Sequence, residues 1–291
     1  MKHLAFILFI ITIGCSYSSS TNASTKNNSE NKKPTIKLAL LHLELKYADI
    51  DANYRLLKHA IRTAAKNDAK WIVTPELVLT GYRFDKKIGT DWIETGTDKW
   101  VQGLQDLTAE LKINLFLSHL EKTPDDWKTY NTLFVINTHG KTLTRHHKIN
   151  TIPISEAWST PGKSAKTVKL DGYNVGLLIC ADAWPEKHAK SLKQKGAELI
   201  ISTANWAPGK YGPKDTWELR SKETSLPLIV ANRTGIERSF DLTKAESVLV
   251  SNGKRLVTHT SESSSILLLD WEQATQKVVR KKVIFIEKLS R

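Results

Sequence analysis

Cysteine is scarce in this 291-residue chain: Cys15 and Cys180 are its only two, too few for a disulfide framework. Their surroundings differ so much that a bond between them is not expected, and each needs its own explanation. Long apolar runs are also missing. The N-terminal run, residues 4–13, is about half of the roughly 20 residues that a membrane-spanning helix requires, which argues against a permanent span. Neither an internal repeat, a GxGxxG turn nor a P-loop is present, and His119, His139, His146 and His147 show no spacing of the HExxH kind. No metal site and no cofactor are therefore expected. With 40% hydrophobic and 25% charged residues, the bulk of the chain is globular rather than collagenous or coiled-coil, and its length suits one large domain or two ordinary ones. Lys and Arg outnumber Asp and Glu by 43 to 30, giving +13, but the cations are spread along the chain with no focused basic patch, and no nucleic-acid partner is expected. The densest run, Lys187, Lys190, Lys193 and Lys195, fits the solvated face of a helix.

What is present begins with an export signal. Lys2 and His3 precede the apolar run, which ends in Gly14-Cys15 and a polar stretch. Thr12-Ile13-Gly14-Cys15 resembles the lipobox of bacterial lipoproteins, although Thr12 stands where Leu is commoner. That resemblance implies cleavage after residue 14, lipidation of Cys15, and a membrane partner reached through the lipid. Ordinary cleavage nearby, with Cys15 incidental, is the rival reading. Residues 15–35 are rich in Ser, Asn, Thr and Lys, too polar to repay the entropy of folding, and read as a tether. Ser16 after the cysteine leans toward the outer membrane, with the domain facing the periplasm.

From residue 36 onward the pattern alternates. Strands are expected over 36–43, 71–74, 113–118, 133–137, 141–147, 175–179, 199–203, 228–231, 247–250 and 266–269. Helices are expected around 52–65, 101–111, 185–195 and 217–224, with Pro185 in a first turn. This is an α/β layered domain with both sheet faces covered, running over 36–291.

Three polar residues stand at the downstream ends of expected strands, where α/β sites are usually built: Glu76, Lys148 and Cys180. Singly they are ambiguous, since free cysteine is a common core residue, a glutamate may cap a helix, and a lysine may be a surface cation. Their contexts are more specific. Pro75-Glu76-Leu77 runs into Thr80-Gly81-Tyr82. His147-Lys148-Ile149 is followed eight residues on by Glu156, then Pro161-Gly162. Gly176-Leu177-Leu178-Ile179-Cys180-Ala181-Asp182 precedes Pro185-Glu186. In this order and spacing they resemble the glutamate, lysine and cysteine motifs of nitrilase-type carbon-nitrogen hydrolases, and Asn205-Trp206 and Asn232-Arg233-Thr234-Gly235 are similar to downstream segments of that family. The likeness spans roughly residues 36–270.

The resemblance implies a four-layer αββα sandwich and hydrolysis of a non-peptide carbon-nitrogen bond, most simply in a small amide, through a thioester on Cys180. Glu76 would be the base, Lys148 and the backbone NH of Ala181 would hold the oxyanion, and Glu156 would position Lys148. The chemistry needs these types: amides and nitriles are poor electrophiles, and a thiol near pKa 8.5 needs a base as it attacks. Tyr82, Trp158, Trp184 and Trp206 are candidates for an acyl pocket, each equally suited to the core. Ala181, where many relatives carry an aromatic residue, leaves that side roomier. Nitrilase, carbamoylase and amine-acyltransferase activities share these residues and remain open, as does homo-oligomerisation. Two other rivals are a Cys-His hydrolase using His146, His147 or His188, and a binding lipoprotein on a degenerate scaffold. Retention of all three motif residues argues against the second.

Overall fold

Alternating burial along the first strand sets the architecture. Ile36, Leu38 and Leu40 face one apolar core, while Ala39 and Leu41 face another. A strand buried on both faces must lie between two layers. The structure, a computed structural model, describes Met1 and residues 33–287. Residues 2–32, which carry Cys15 and most of the signal and tether segments, lie outside the described residues, and Lys33–Arg291 forms one compact unit.

The first sheet has seven strands in the order β15-β14-β1-β2-β3-β4-β5. They are β1 (Ile36–His42), β2 (Trp71–Val73), β3 (Asn114–Lys122), β4 (Thr129–Ile136), β5 (Thr142–His147), β14 (Ser265–Glu272) and β15 (Lys277–Phe285). The second sheet has six, in the order β13-β12-β9-β8-β7-β6: β6 (Thr167–Leu170), β7 (Tyr173–Ile179), β8 (Leu199–Thr203), β9 (Leu228–Ala231), β12 (Ser247–Ser251) and β13 (Lys254–His259). A two-residue hairpin, β10 (Ile236–Glu237) and β11 (Phe240–Asp241), stands apart.

The sheets stack face to face through one core that holds Leu38, Phe116 and Leu267 from the first and Leu177, Ile201 and Val230 from the second. On the outside of the first sheet lie α1 (Ile50–Lys66) and α3 (Lys99–Leu111); α2 (Asp85–Ile88) is a single turn between them in sequence. Helix α1 buries Leu57, Ala60, Ile61 and Ala64 at helical spacing, and Asp49 caps it by accepting from the Ala52 NH at 3.1 Å. On the outside of the second sheet lie α4 (Glu186–Gln194) and α5 (Thr216–Thr224). Gly176 in β7 explains how closely α4 approaches, because a Cβ there would stand 2.9 Å from Leu192 Cδ1. The result is the expected αββα sandwich. Pro185 takes the N-cap position of α4 rather than its first turn, a shift of one residue.

The two sheets share a polarity. Strands β1, β2 and β3 run parallel, as do β7, β8 and β9. Where these strands start, Asp171 in the β6–β7 turn accepts from Trp71 Nε1 at 2.7 Å and Asn114 Nδ2 at 2.8 Å. The starting ends of both sheets therefore coincide, and so do the finishing ends. The chain comes into the sandwich at the starting end, where Lys33 pairs with Glu198 and the Pro34 carbonyl accepts from Tyr173 OH at 2.6 Å.

Candidate active site

The three motif residues all leave strands at the finishing end. Glu76 follows β2, Lys148 follows β5, and Cys180 follows β7 as the first residue of a 3-10 turn, Cys180–Ala183. Cys180 has φ +48 and Leu77, next to Glu76, has φ +49, a left-handed region that costs a non-glycine residue roughly 1–3 kcal/mol and must be held by its surroundings. The neighbouring turns supply that restraint. Leu77 NH donates to Ser118 Oγ at 3.1 Å. Asp182 accepts from Ile149 NH at 2.8 Å and Asn150 NH at 2.7 Å with one oxygen, and from Ile179 NH and His146 Nε2 with the other. Asn150 Nδ2 adds a bond to the Ala181 carbonyl at 2.8 Å. The turn that carries Cys180 is thereby tied to the backbone that follows Lys148.

Lys148 is fully buried between two carboxylates. Its Nζ lies 2.8 Å from Glu76 Oε1 and 2.8 and 2.7 Å from the two oxygens of Glu156. Asn131 Nδ2 bridges the same acids, 2.9 Å from each. The other Glu76 oxygen accepts from Asn205 NH at 2.9 Å, while Asn205 Nδ2 holds the Glu76 carbonyl at 2.7 Å. Glu156 Oε2 accepts from Ile152 NH, so the acid fastens its own loop.

Two carboxylates and one ammonium leave a buried excess of one negative charge, and the neighbouring groups respond. Burial raises the Glu76 carboxyl above its ordinary 4.5, with Glu156 adding to the shift and Lys148 opposing it. Burial works against the Lys148 ammonium, but Glu156 and Glu76 outweigh it and hold its pKa well above 10.5. Burial pushes the Cys180 thiol well above its ordinary 9.0, Glu76 pushes in the same direction, and Lys148 pulls back. The thiol is protonated at rest and lies within the electrostatic reach of a carboxylate that holds protons more readily than usual.

The aromatic candidates separate into two groups. The Tyr82 ring stands 5.6 Å from Lys148 Nζ, and its hydroxyl meets Ser155 Oγ at 2.9 Å. Trp158 packs edge-on against Phe84 at 5.0 Å in the small apolar cluster that includes Tyr82. Trp206 sits between Trp184 and Trp217, edge-on to each, and belongs to the main core; Trp184 remains 40% exposed. Of the histidines, His146 bonds Asp182, His147 bonds Glu121 and His119 bonds Asp98. No group of three or more His, Cys, Asp or Glu side chains arranged for a metal ion occurs among the described residues.

Sequence reasoning passed over Asn131 because it began that strand at residue 133, whereas β4 begins at Thr129. An asparagine inside a buried strand is the signal that would have found it, since asparagine is depleted there. Asp182 and Asn205 stood in the quoted motifs without a role.

Comparison with known proteins agrees with this geometry. Residues 37–276 match the family model for carbon-nitrogen hydrolases, and the chain belongs to that family. It is 25% identical over 234 residues to a nitrilase of Pyrococcus abyssi, covering 78% of this chain and 86% of the relative. Similarity to a citrullinase of Francisella tularensis reaches 30% over 227 residues, 72% of this chain and 77% of that one. Among solved structures, an amidase from Nesterenkonia sp. AN1 superposes with a TM-score of 0.72 at 22% identity, over 82% of this chain and 94% of its own. A mutant of that amidase shows covalent addition of the acetamide moiety of fluoroacetamide at its active-site cysteine.

Proposed function

We propose that the protein hydrolyses the carbon-nitrogen bond of a small amide through a thioester on Cys180, releasing ammonia or an amine. The observation that carries this reading is the buried set of two carboxylates and one ammonium beside a buried, protonated thiol. A permanent ion pair would need only one acid per lysine; the second carboxylate makes Glu76 a proton acceptor while Lys148 keeps its charge. Amide rather than nitrile chemistry is favoured by the family resemblance and by the amidase neighbour whose cysteine takes a covalent acetamide adduct.

In this mechanism Glu76 takes the Cys180 proton as sulfur attacks the carbonyl carbon, so a thiolate never has to stand alone in the low-dielectric site. Negative charge develops on the substrate oxygen, where Lys148 Nζ and the Ala181 NH stabilise it; one such donor is worth about 2.7–4 kcal/mol. Glu76 then passes its proton to the leaving nitrogen as the C–N bond breaks. It next accepts a proton from the water that attacks the thioester, and returns that proton to sulfur as the C–S bond breaks and the acid leaves, regenerating the thiol and the Glu76 carboxylate. Glu156 and Asn131 are positioning residues that keep Lys148 and Glu76 in register. Ammonia release from a panel of amides, ureido acids and nitriles tests the reading: turnover of an amide with a trapped acyl group on Cys180 supports it, and an adduct on any other residue overturns it.

We also propose that Cys15 is lipidated and anchors the chain to a bacterial membrane. Intact mass spectrometry of the exported protein should give a chain beginning at an acylated Cys15. A cleaved, unacylated chain beginning elsewhere would refute this.

A further inference from the structure

The lysines that are scattered in sequence are gathered by the fold. At the starting end of the sandwich, the passages from helix to strand carry exposed Lys70 before β2, Lys112 before β3 and Lys193 in the last turn of α4 ahead of β8. The hairpins there carry exposed Lys141 between β4 and β5, Lys254 as the first residue of β13 and Lys277 as the first residue of β15. Of the carboxylates at this end, Asp171 is engaged by Trp71 and Asn114, Glu198 by Lys33 and the Asn174 NH, and Glu110 by Arg62, while Asp68 is exposed in the turn that carries Lys70. The finishing end differs, because exposed acids such as Asp49, Asp91, Glu94, Asp125 and Glu262 stand there among exposed lysines such as Lys86, Lys128 and Lys210. Cations near helix C-termini complement the helix dipole, which accounts for Lys193 but for none of the hairpin lysines.

We propose that this starting end is a docking face for an anionic phospholipid surface, and that Cys180 and its neighbours at the opposite end are held facing away from the membrane. Three observations converge. The face carries an exposed lysine at each of these connections, whereas the opposite end mixes exposed acids with exposed lysines and presents no such one-sided charge. The described domain begins on this face, where Lys33 pairs with Glu198 and the Pro34 carbonyl accepts from Tyr173, so the point of attachment of the preceding sequence is on the side that would touch the lipid. That sequence includes the apolar run 4–13 with Cys15 behind it, a segment of the chemistry that meets a bilayer. Docking by several lysines adds to any anchor because each contributes separately near a charged surface. It also sets orientation, which a single flexible attachment does not.

The test is lysine acetylation of the full chain, read residue by residue by mass spectrometry. It is run free in solution and on floated vesicles of phosphatidylcholine with or without phosphatidylglycerol. On vesicles containing phosphatidylglycerol, Lys70, Lys112, Lys141, Lys254 and Lys277 should react about fivefold or more slowly than in solution, while Lys86, Lys128 and Lys210 at the other end keep their rates. High salt should remove the protection. Reversing Lys70, Lys141 and Lys277 to Glu should weaken flotation of unacylated chain by about fivefold or more for each reversal. If acylated chain floats equally on both vesicles and the two ends react alike, the anchor stands and the docking face is refuted. Failure of unacylated chain to float on phosphatidylglycerol, or equal protection at both ends, overturns the proposal as well.

Discussion

Among the described residues, two fully buried clusters pair a lysine or arginine with carboxylates, and they differ in their charge balance. Lys148 is shared by Glu76 and Glu156, two acids to one base. Arg233 and Glu237 form a buried pair at 2.6 Å, both also bond backbone groups, and the half-buried Glu44 adds its charge from the edge. Glu237 accepts from the Tyr82 NH at 3.0 Å and the Arg83 NH at 2.7 Å, and Arg233 donates to the carbonyls of Leu45 and Thr234. Gly81 shows how tightly this second cluster is closed, because a Cβ there would lie 2.5 Å from Glu237 Oε2. The balanced pair straps the turn behind Tyr82 and has no group left over to move a proton. The unbalanced set keeps one carboxylate in excess beside a thiol. On the proposed mechanism, burial of charge alone does not mark a reactive site; the stoichiometry of acids and bases does.

The largest effects should come from the unbalanced cluster and fall on activity. Cys180→Ala should abolish turnover, and Glu76→Gln should lower kcat by about 10²–10⁴ fold, the range for a lost general base. Glu76→Gln leaves Lys148 and Glu156 as a one-to-one pair, so thermal unfolding should occur at an unchanged or higher temperature while activity collapses. A variant that loses both stability and activity would mean that Glu76 is merely structural.

The balanced pair should respond the other way. Arg233→Met strands a buried carboxylate and should cost about 3–5 kcal/mol of stability, measured by urea unfolding. Folded Arg233→Met should keep kcat within a few fold, since the groups at Lys148 are untouched. The double variant Arg233→Met, Glu237→Leu should recover part of the stability, because no unpaired charge then remains. A double variant as unstable as the single one would show that the backbone bonds of Glu237, not the ion pair, carry the strap.

How much of this was legible beforehand follows the same physics. Buried strands such as β7 and β8 are continuous apolar runs and were read within two residues at either end. Of the strands missed, β10 and β11 are the separate two-residue hairpin, and β6, β13 and β15 are sheet edges, where Thr-Val-Lys-Leu or Lys-Val-Val-Arg-Lys-Lys has one face in water and no clean apolar pattern. At the candidate site, Glu76, Lys148, Glu156 and Cys180 were readable because each lies in a motif of fixed spacing. Asn131 was not, because the strand was begun two residues after it, and although an asparagine within a buried strand is a local signal, the acids it bridges lie far along the chain. The gathering of lysines at one end was equally invisible, because it is a property of topology and not of any segment.

The pH profile sharpens the contrast between the clusters at moderate amplitude. Activity requires Glu76 unprotonated, and its pKa is raised, so kcat/KM should fall with acid along a limb whose midpoint lies above 4.5. Lys148 and Cys180 are both raised well above their ordinary values, so no alkaline loss should appear below pH 9. Folding stability has a different acid dependence, through His42, whose pKa burial lowers from 6.5 to about 3. A base with a depressed pKa binds its proton more readily when unfolded. Its contribution is complete above pH 6.5 and is lost toward pH 3, by up to about 1.4 kcal/mol per unit. His42→Gln should flatten that stability curve without moving the acid limb of activity. A limb that moves with His42 would place the titrating group in the fold rather than in the site.

The smallest effect expected is at Asp182, which holds the Cys180 turn and is hydrogen-bonded to neither the Lys148 ammonium nor the thiol. Its carboxylate takes four donors, two from the backbone after Lys148 and two from Ile179 and His146. Asp182→Asn keeps one oxygen, enough for Ile149 and Asn150, and turns an NH₂ toward the Ile179 NH, so that one buried donor loses its acceptor at a cost of about 1–3 kcal/mol. The turn should loosen where Cys180 is held at φ +48. We expect kcat to fall about tenfold, KM to stay within twofold, and the acid limb of the profile to remain where Glu76 sets it. The KM-against-kcat split separates positioning from general destabilisation, which would lower the yield of folded protein without changing turnover per folded molecule. A variant with kcat within twofold of the parent would show that the turn is held by the strand ahead of it, and that Asp182 serves only to pair His146.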